Sequence, residues 1–339
     1  MENKIDFVLM WVDGKDPKWL EEKNKYSEKK IPVDDAINRY RDMNLLKYWF
    51  RSVEKYTPWV NKIFFITWGH LPEWLDISNP KLVVVNHRDY IPQQYLPTFN
   101  ANTIELNLHR IKNLSEQFVL FNDDMYILNP LSPEYFFKDG LPCDHWKENP
   151  LEIEKGEDNF FDHILINDQF LINKNFDKKE VYKNNLAKIF NIHYGRRNIR
   201  YLMLKRWKYF TGFECPHTAN PYLKSSFTEL WSKEEEYLNR TCLNKFRSIL
   251  DVNQWVVNWY QMCQGKFSVK NQKYFGRYYN LEKDNSDLIN YIRDSKADIV
   301  CINDTNKYLD FEKATAELQT VFSEKLNTQC TFEKQVDYE

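Results

Sequence analysis

Glycine is scarce in this chain, with 8 residues among 339, and nowhere do about 18 uncharged apolar residues follow one another. The first shortage argues against a long flexible or fibrous segment, and the second leaves no candidate transmembrane helix. Excess charge of one sign is missing too: a formal net charge of -2 gives no global reason to expect a nucleic acid partner. The six cysteines, at 143, 215, 242, 263, 301 and 330, form no CxxC pair. They read as small buried hydrophobes in a reducing cytoplasm, and a structural zinc site is not expected. MENKIDFVLMWVDG has no apolar h-region before its first acidic turn, so the expectation is a cytoplasmic protein, soluble or peripheral, that is not exported.

What the chain does have is apolar material: 42% of residues are hydrophobic, enough for about two units or one elaborated α/β domain. The informative stretch is FVLFNDDMYI, from Phe118 to Ile127. Four apolar residues in a row read as a buried strand that runs directly into Asn122, Asp123 and Asp124. In an open α/β sheet, ligands bind outside the carboxyl ends of the strands, where two acids can hold a divalent cation and the phosphates it neutralises. By itself an NDD corner is as readily a polar turn in which Asn122 or Asp123 accepts backbone N–H groups.

Its neighbours repeat the design. Ile5 to Val12 is an apolar run that ends in Asp13, Gly14 and Asp16. After Arg41 and Asp42, apolar residues at 45, 49, 53 and 56 predict a helix that Pro58 ends. Strands over 62–68 and 82–86 follow, then LPTFNANTIELNLHRI, with Asn100 as N-cap and Glu105 near His109 at i, i+4. Short strands alternating with amphipathic helices predict a mostly parallel, Rossmann-like or GT-A-like sheet flanked by helices, with a largely helical insertion.

From 131 to 192 periodicity weakens, although NDQFLINKNF is compatible with a short helix or strand. Residues 193–210 mix six Arg or Lys side chains with aromatics and read as an amphipathic helix. CPHTANPYLKSSFTELW sets His217 in a proline-bounded loop ahead of a helix, suited to proton transfer or phosphate contact, though a lone histidine is more often structural. NKFRSILDVNQWVVNWYQM predicts a helix burying Val252, Trp255, Val256 and Trp259, with Arg247 and Asp251 paired at i, i+4. DIVCIND is a second apolar strand ending in Asn-Asp, ahead of a helix from Phe311 to Leu326.

Four of these blocks, in order, resemble the Stealth family of sugar-phosphate transferases: IDFVLMWVDGKDP; RYRDMNLLKYWFRSVEKYTPWVNKIFFITWGHLPEWL with LPTFNANTIELNLHRI and FVLFNDDMYI; CPHTANPYLKSSFTELW with FRSILDVNQW; and VCINDT. The resemblance implies transfer of hexose-1-phosphate or N-acetylhexosamine-1-phosphate from a UDP-sugar to a sugar hydroxyl, with UMP released and a phosphodiester formed in capsular or exopolysaccharide synthesis. It implies Asp123, His217 and Arg247 as catalytic residues, and Mg²⁺ or Mn²⁺ on Asp123 and Asp124. Substrate contacts fall to Trp11, Asp13, Gly14, Arg41, Asp42, Asn100 and Asp251, with Trp11 placed to stack on uracil. The expected acceptor is a lipid-linked glycan, met at the inner face of the cell membrane.

The chain departs from the family where Trp68, Gly69 and His70 replace an Asn-Gly-Gln turn. Three parts are expected: 1–130 for the nucleotide-sugar, 131–214 as an insertion toward the acceptor, and 215–339 completing the catalytic domain. Two other readings stay open: a metal-dependent glycosyltransferase that releases UDP, and a non-catalytic polysaccharide-binding protein whose aromatics stack on sugars.

Overall fold

The computed structural model describes residues 4–27, 41–153, 159–270, 276–304 and 310–335. The connection running up to Tyr40 and Gly156 lie outside the described residues. The strands are β1 (Ile5–Met10), β2 (Ile63–Thr67), β3 (Leu82–Asn86), β4 (Gln117–Asn122), β5 (Met125–Ile127), β6 (Phe137–Lys138), β7 (Leu141–Asp144), β8 (Asn220–Leu223), β9 (Ser268–Val269), β10 (Arg277–Asn280) and β11 (Ile299–Asn303). Five form one sheet in the order β3-β2-β1-β4-β8, parallel throughout except for the antiparallel edge strand β8. A mostly parallel sheet is thus what the apolar runs build.

Alternation along these strands feeds two cores. Phe7, Leu9, Phe65, Val119 and Phe121 face one side, while Val8, Phe64, Ile66, Phe118 and Leu120 face the other. Burial on both faces is why the runs read as continuous hydrophobes and not as alternating ones. Helices cover both sides: α1 (Pro17–Tyr26), α2 (Leu46–Tyr56), α3 (His87–Tyr90), α4 (Ala101–Leu106), α5 (Phe160–Asn175), α6 (Lys178–Asn184), α7 (Leu186–Ile189), α8 (Arg197–Leu204), α9 (Lys224–Leu243), α10 (Gln254–Cys263), α11 (Ser286–Arg293) and α12 (Phe311–Lys325). Trp49 and Val53 of α2 and Phe322 of α12 fill the first core; Leu171 of α5, Leu230 of α9 and Trp255 of α10 fill the second.

A second, three-stranded sheet runs β10-β11-β5, with β11 antiparallel to β5. Since β4 ends at Asn122 and β5 begins at Met125, Asp123 and Asp124 are the corner at which the chain leaves one sheet for the other. The Ile302 N–H donates to the Asp124 carbonyl at 2.9 Å and the Tyr126 hydroxyl donates to the Asp123 carbonyl at 2.7 Å, which fixes the corner through its main chain.

Four local expectations need correction. The segment from 244 to 262 is not one helix: α10 begins at Gln254 with Asn253 as its N-cap, so Arg247 and Asp251 lie in the preceding loop and form no intrahelical pair. All ten residues of α10 are buried, not one face. Asn100 does cap α4, but that helix ends at Leu106, which separates Glu105 from His109; His109 packs against Phe227 and Trp231 instead. In the segment from 193 to 210 only Arg197–Leu204 is α-helical, and it turns Ile199, Leu202 and Met203 outward.

Candidate active site

The acids gather at the carboxyl ends of β1 and β4, outside the sheet where a parallel α/β fold leaves its crevice. Asp124 Oδ2 lies 3.3 Å from His217 Nε2. The other Asp124 oxygen, Oδ1, is buried with no hydrogen-bond partner. His217 comes from the loop between Cys215 and Ala219, held beside β4 because β8 follows it directly and pairs with β4. Burial alone would lower the His217 pKa, but the Asp124 carboxylate and, farther off, Glu105 outweigh it and leave it raised. The ring also stands edge-on to Tyr278, at 5.8 Å between centroids.

Glu105 is the site residue that sequence reasoning did not single out. It sits on the buried side of α4, about 5% exposed, within the fields of Arg247 and His217. Burial raises its pKa to about 7 against the pull of those two cations. An acid on the inward side of a helix that also buries Asn102 and Thr103 was the available signal, hidden because the apolar period was followed through Ile104, Leu108 and Ile111. A consequence is testable. Chemistry that needs the Glu105 carboxylate should gain rate as pH rises through about 7, and Glu105→Gln should remove that limb of a pH–rate profile. The folded pKa lies above the unfolded one, so stability falls as pH climbs from 4.5 past 7, by about 3 kcal/mol in all. Glu105→Gln should therefore melt later than the native chain at pH 8 while turning over more slowly.

Arg247 is half-buried in the 244–251 loop, and Asp251 builds that loop. Its carboxylate accepts from Asn100 Nδ2 (2.8 Å), Asn102 Nδ2 (3.1 Å), Asn244 Nδ2 (2.7 Å) and the Ser248 N–H (3.0 Å). This ties the start of α4, which carries Glu105, to the loop that carries Arg247. Asn100 and Asp251 are both fully buried. Their geometry fits a positioning role, where direct substrate contact was the expectation. Asp251→Ala would strand two buried side-chain amides and a half-buried third, and should cost about 3 kcal/mol in urea unfolding, with activity falling as Arg247 loses its place.

The other expected contacts divide in the same way. Trp11 is buried, stacked on Phe65 at 5.8 Å and edge-on to His70 at 5.2 Å, so its ring belongs to the core and is not open for stacking on a base. Its indole lies against the Asp42 carboxyl, whose pKa burial raises. Arg41 donates from Nε and Nη2 to Asp304 at 2.8 and 2.7 Å, bracing Asp42 from the end of β11. The Asp13 N–H donates to His70 Nε2 at 2.8 Å, and His70 Nδ1 stands 3.6 Å from Asp16. The departure at Trp68–Gly69–His70 is therefore structural: the histidine pins the Asp13–Gly14 turn beside the site. Gly69 makes the turn possible, with φ of +140° and only 2.9 Å between a would-be Cβ and Asn86 Nδ2.

Three carboxyl groups, Asp42, Asp123 and Asp124, crowd one corner. Surrounding protein, then Asp124 and Asp42, raise the Asp123 pKa, although its exposed edge lets water limit the rise. Such repulsion and the orphaned Asp124 Oδ1 fit a cation there. Among the described residues, Asp124, His217 and Cys301 present ligand atoms within 4.8 Å of one another, and Asp123 is not in that group. Burial pushes the Cys301 thiol pKa up, so it remains a protonated neighbour and the oxygen of Asp124 is the donor suited to a hard cation.

Residues 3–31 match Stealth protein CR1, conserved region 1, and residues 39–143 match Stealth protein CR2, conserved region 2. A capsular polysaccharide phosphotransferase, WcwK of Streptococcus pneumoniae, is 42% identical over 334 residues, 98% of each chain. The exopolysaccharide phosphotransferase cps2G of Lactiplantibacillus plantarum is 38% identical over 332 residues, 97% of this chain and 96% of its own. Among solved structures, the galactosyltransferase LgtC with donor and acceptor sugar analogs aligns over 96% of both chains at a TM-score of 0.41 and 12% identity. The chain belongs to the Stealth family, and the two relatives above, each matched over nearly its full length, are named as polysaccharide phosphotransferases.

Proposed function

We propose that this enzyme transfers hexose-1-phosphate or N-acetylhexosamine-1-phosphate from a UDP-sugar to a sugar hydroxyl of a growing capsular or exopolysaccharide. The acceptor oxygen attacks the β-phosphorus, the bond from that phosphorus to the bridging oxygen of UMP breaks, and the anomeric C–O bond stays intact. The observation that carries the reading is the Asp124–His217 pair with Glu105 and Arg247 beside it, in a chain related over its whole length to polysaccharide phosphotransferases.

In this reading Asp124 divides its oxygens. Oδ2 holds the Nε2–H tautomer of His217, freeing Nδ1 to take the acceptor proton. Oδ1, with Asp123 and Asp42 beside it, would hold a Mg²⁺ or Mn²⁺ ion, which would neutralise pyrophosphate charge. Arg247 meets the charge of the transferring phosphoryl group, and Glu105 adds to the pull that raises the basicity of His217. Asp13 and Gly14, held by His70, lie toward the nucleotide. Residues 1–130 would bind the donor, 131–214 would meet a lipid-carried glycan acceptor, and 215–339 would complete the catalytic domain.

The nucleotide released from a panel of UDP-sugars tests this. UMP is expected; UDP would instead support glycosyl transfer, and no turnover by the intact fold would support a binding protein.

A further inference from the structure

Between Glu180 and Glu214 the chain carries eight Lys or Arg residues and no acid at all. The structure sorts those cations. Arg197 and Arg200 of α8 turn inward and share Glu214, at 2.6 and 2.5 Å. Arg196, Lys205, Arg206 and Lys208 remain exposed. Between them the apolar side chains point outward as well: Ile192 is 88% exposed, Ile199, Leu202 and Met203 about 60%, Trp207 52% and Tyr209 56%. The helix buries Tyr201 and Leu204, yet it also turns Ile199, Leu202 and Met203 to solvent, an apolar face that an ordinary surface helix does not present.

The face is also rigid. Lys178, buried, donates to Glu148 at 2.6 Å and to the carbonyls of Leu204 and Tyr209 at 2.7 and 3.3 Å, which fixes the last turn of α8 and the segment after it. Tyr201 and Leu204 anchor the same helix in the core.

We infer that this face docks the enzyme on an anionic lipid bilayer. The four free cations match a negatively charged surface, and the apolar side chains among them need an environment that removes them from water. A dissolved polyanion satisfies only the first demand, whereas the boundary between headgroups and acyl chains satisfies both, with Trp207 and Tyr209 at the depth such rings prefer. No helix among the described residues is long and apolar enough to cross a membrane, so attachment through this face is peripheral and reversible. The Glu214 that clamps α8 lies three residues before His217, so the docked face and the catalytic loop share one short segment.

Flotation of the full chain with vesicles of phosphatidylglycerol and phosphatidylcholine tests this apart from the chemistry above, because it reads binding and not turnover. The native chain is expected to float with anionic vesicles, to be released by salt, and to ignore pure phosphatidylcholine. Two variants should each lose about tenfold or more in partitioning. One changes Arg196, Lys205, Arg206 and Lys208 to Gln; the other changes Leu202, Met203 and Trp207 to Ser. Both should keep the native melting temperature, since these side chains are exposed and support no part of the core. The inference fails if the native chain never floats. It also fails if the apolar variant binds like the native chain while the charge variant does not, a pattern that would assign the face to a soluble polyanion such as the glycan itself.

Discussion

Changing Asp124 to Asn is expected to lower turnover by about a thousandfold, because one substitution removes both the charge beside His217 and the unpartnered oxygen proposed to hold a cation. The fold should survive. The corner is held by the bond from the Ile302 N–H to the Asp124 carbonyl, which the substitution does not touch. Asp123→Asn removes the neighbouring carboxylate, which is not among the ligand atoms gathered within 4.8 Å, and is expected to lower turnover as well. EDTA should silence the native chain and added Mg²⁺ or Mn²⁺ should restore it. If Asp124→Asn keeps native rates, or if full activity persists in chelator, the acids are a polar corner between two sheets and nothing more.

His217→Ala and Arg247→Lys should each cost about a hundredfold or more. His217 is the imidazole paired with the Asp124 carboxylate, and a lysine cannot reproduce the planar fork that meets two phosphoryl oxygens at once. Steady-state rates with saturating donor separate these losses from weaker binding. Because Arg247 is carried by a loop that Asp251 organises, Asp251→Ala should cost more in urea unfolding than Arg247→Lys.

The sheet was legible because a strand buried on both faces writes itself as a continuous apolar run. Leu82–Asn86 was bounded correctly from sequence, and Ile5–Met10 and Ile63–Thr67 within two residues. β8 was not, since Pro221 breaks the signal, and a proline is tolerated there only because β8 lies at the sheet edge. The sixteen-residue helix α5 was read only in part, as a short helix or strand over NDQFLINKNF. It buries Ile164, Leu165, Leu171 and Ile172 yet exposes Phe161, Ile166 and Phe170, so apolar residues surround it and no period stands out.

The site was half legible for a related reason. Asp124 and His217 are short-range features of a strand end and a proline-bounded loop, and both were picked out from sequence. Glu105, Asn100 and Asp251 acquire their roles through contacts across some 150 positions of chain, which no local pattern encodes. Trp11 and Arg41 illustrate the opposite error. Each looked available for a ligand, and each is occupied by a partner, Phe65 or Asp304, that only the folded chain brings near.

The central claim is that phosphorus, and not the anomeric carbon, is attacked. A UDP-sugar carrying ¹⁸O in the bond between the anomeric carbon and the β-phosphorus decides it by mass spectrometry of the products. Phosphoryl transfer predicts that the label stays with the sugar, inside the new phosphodiester, and that the UMP released is unlabelled. Label recovered in UDP, with a glycoside formed on the acceptor, would contradict the account.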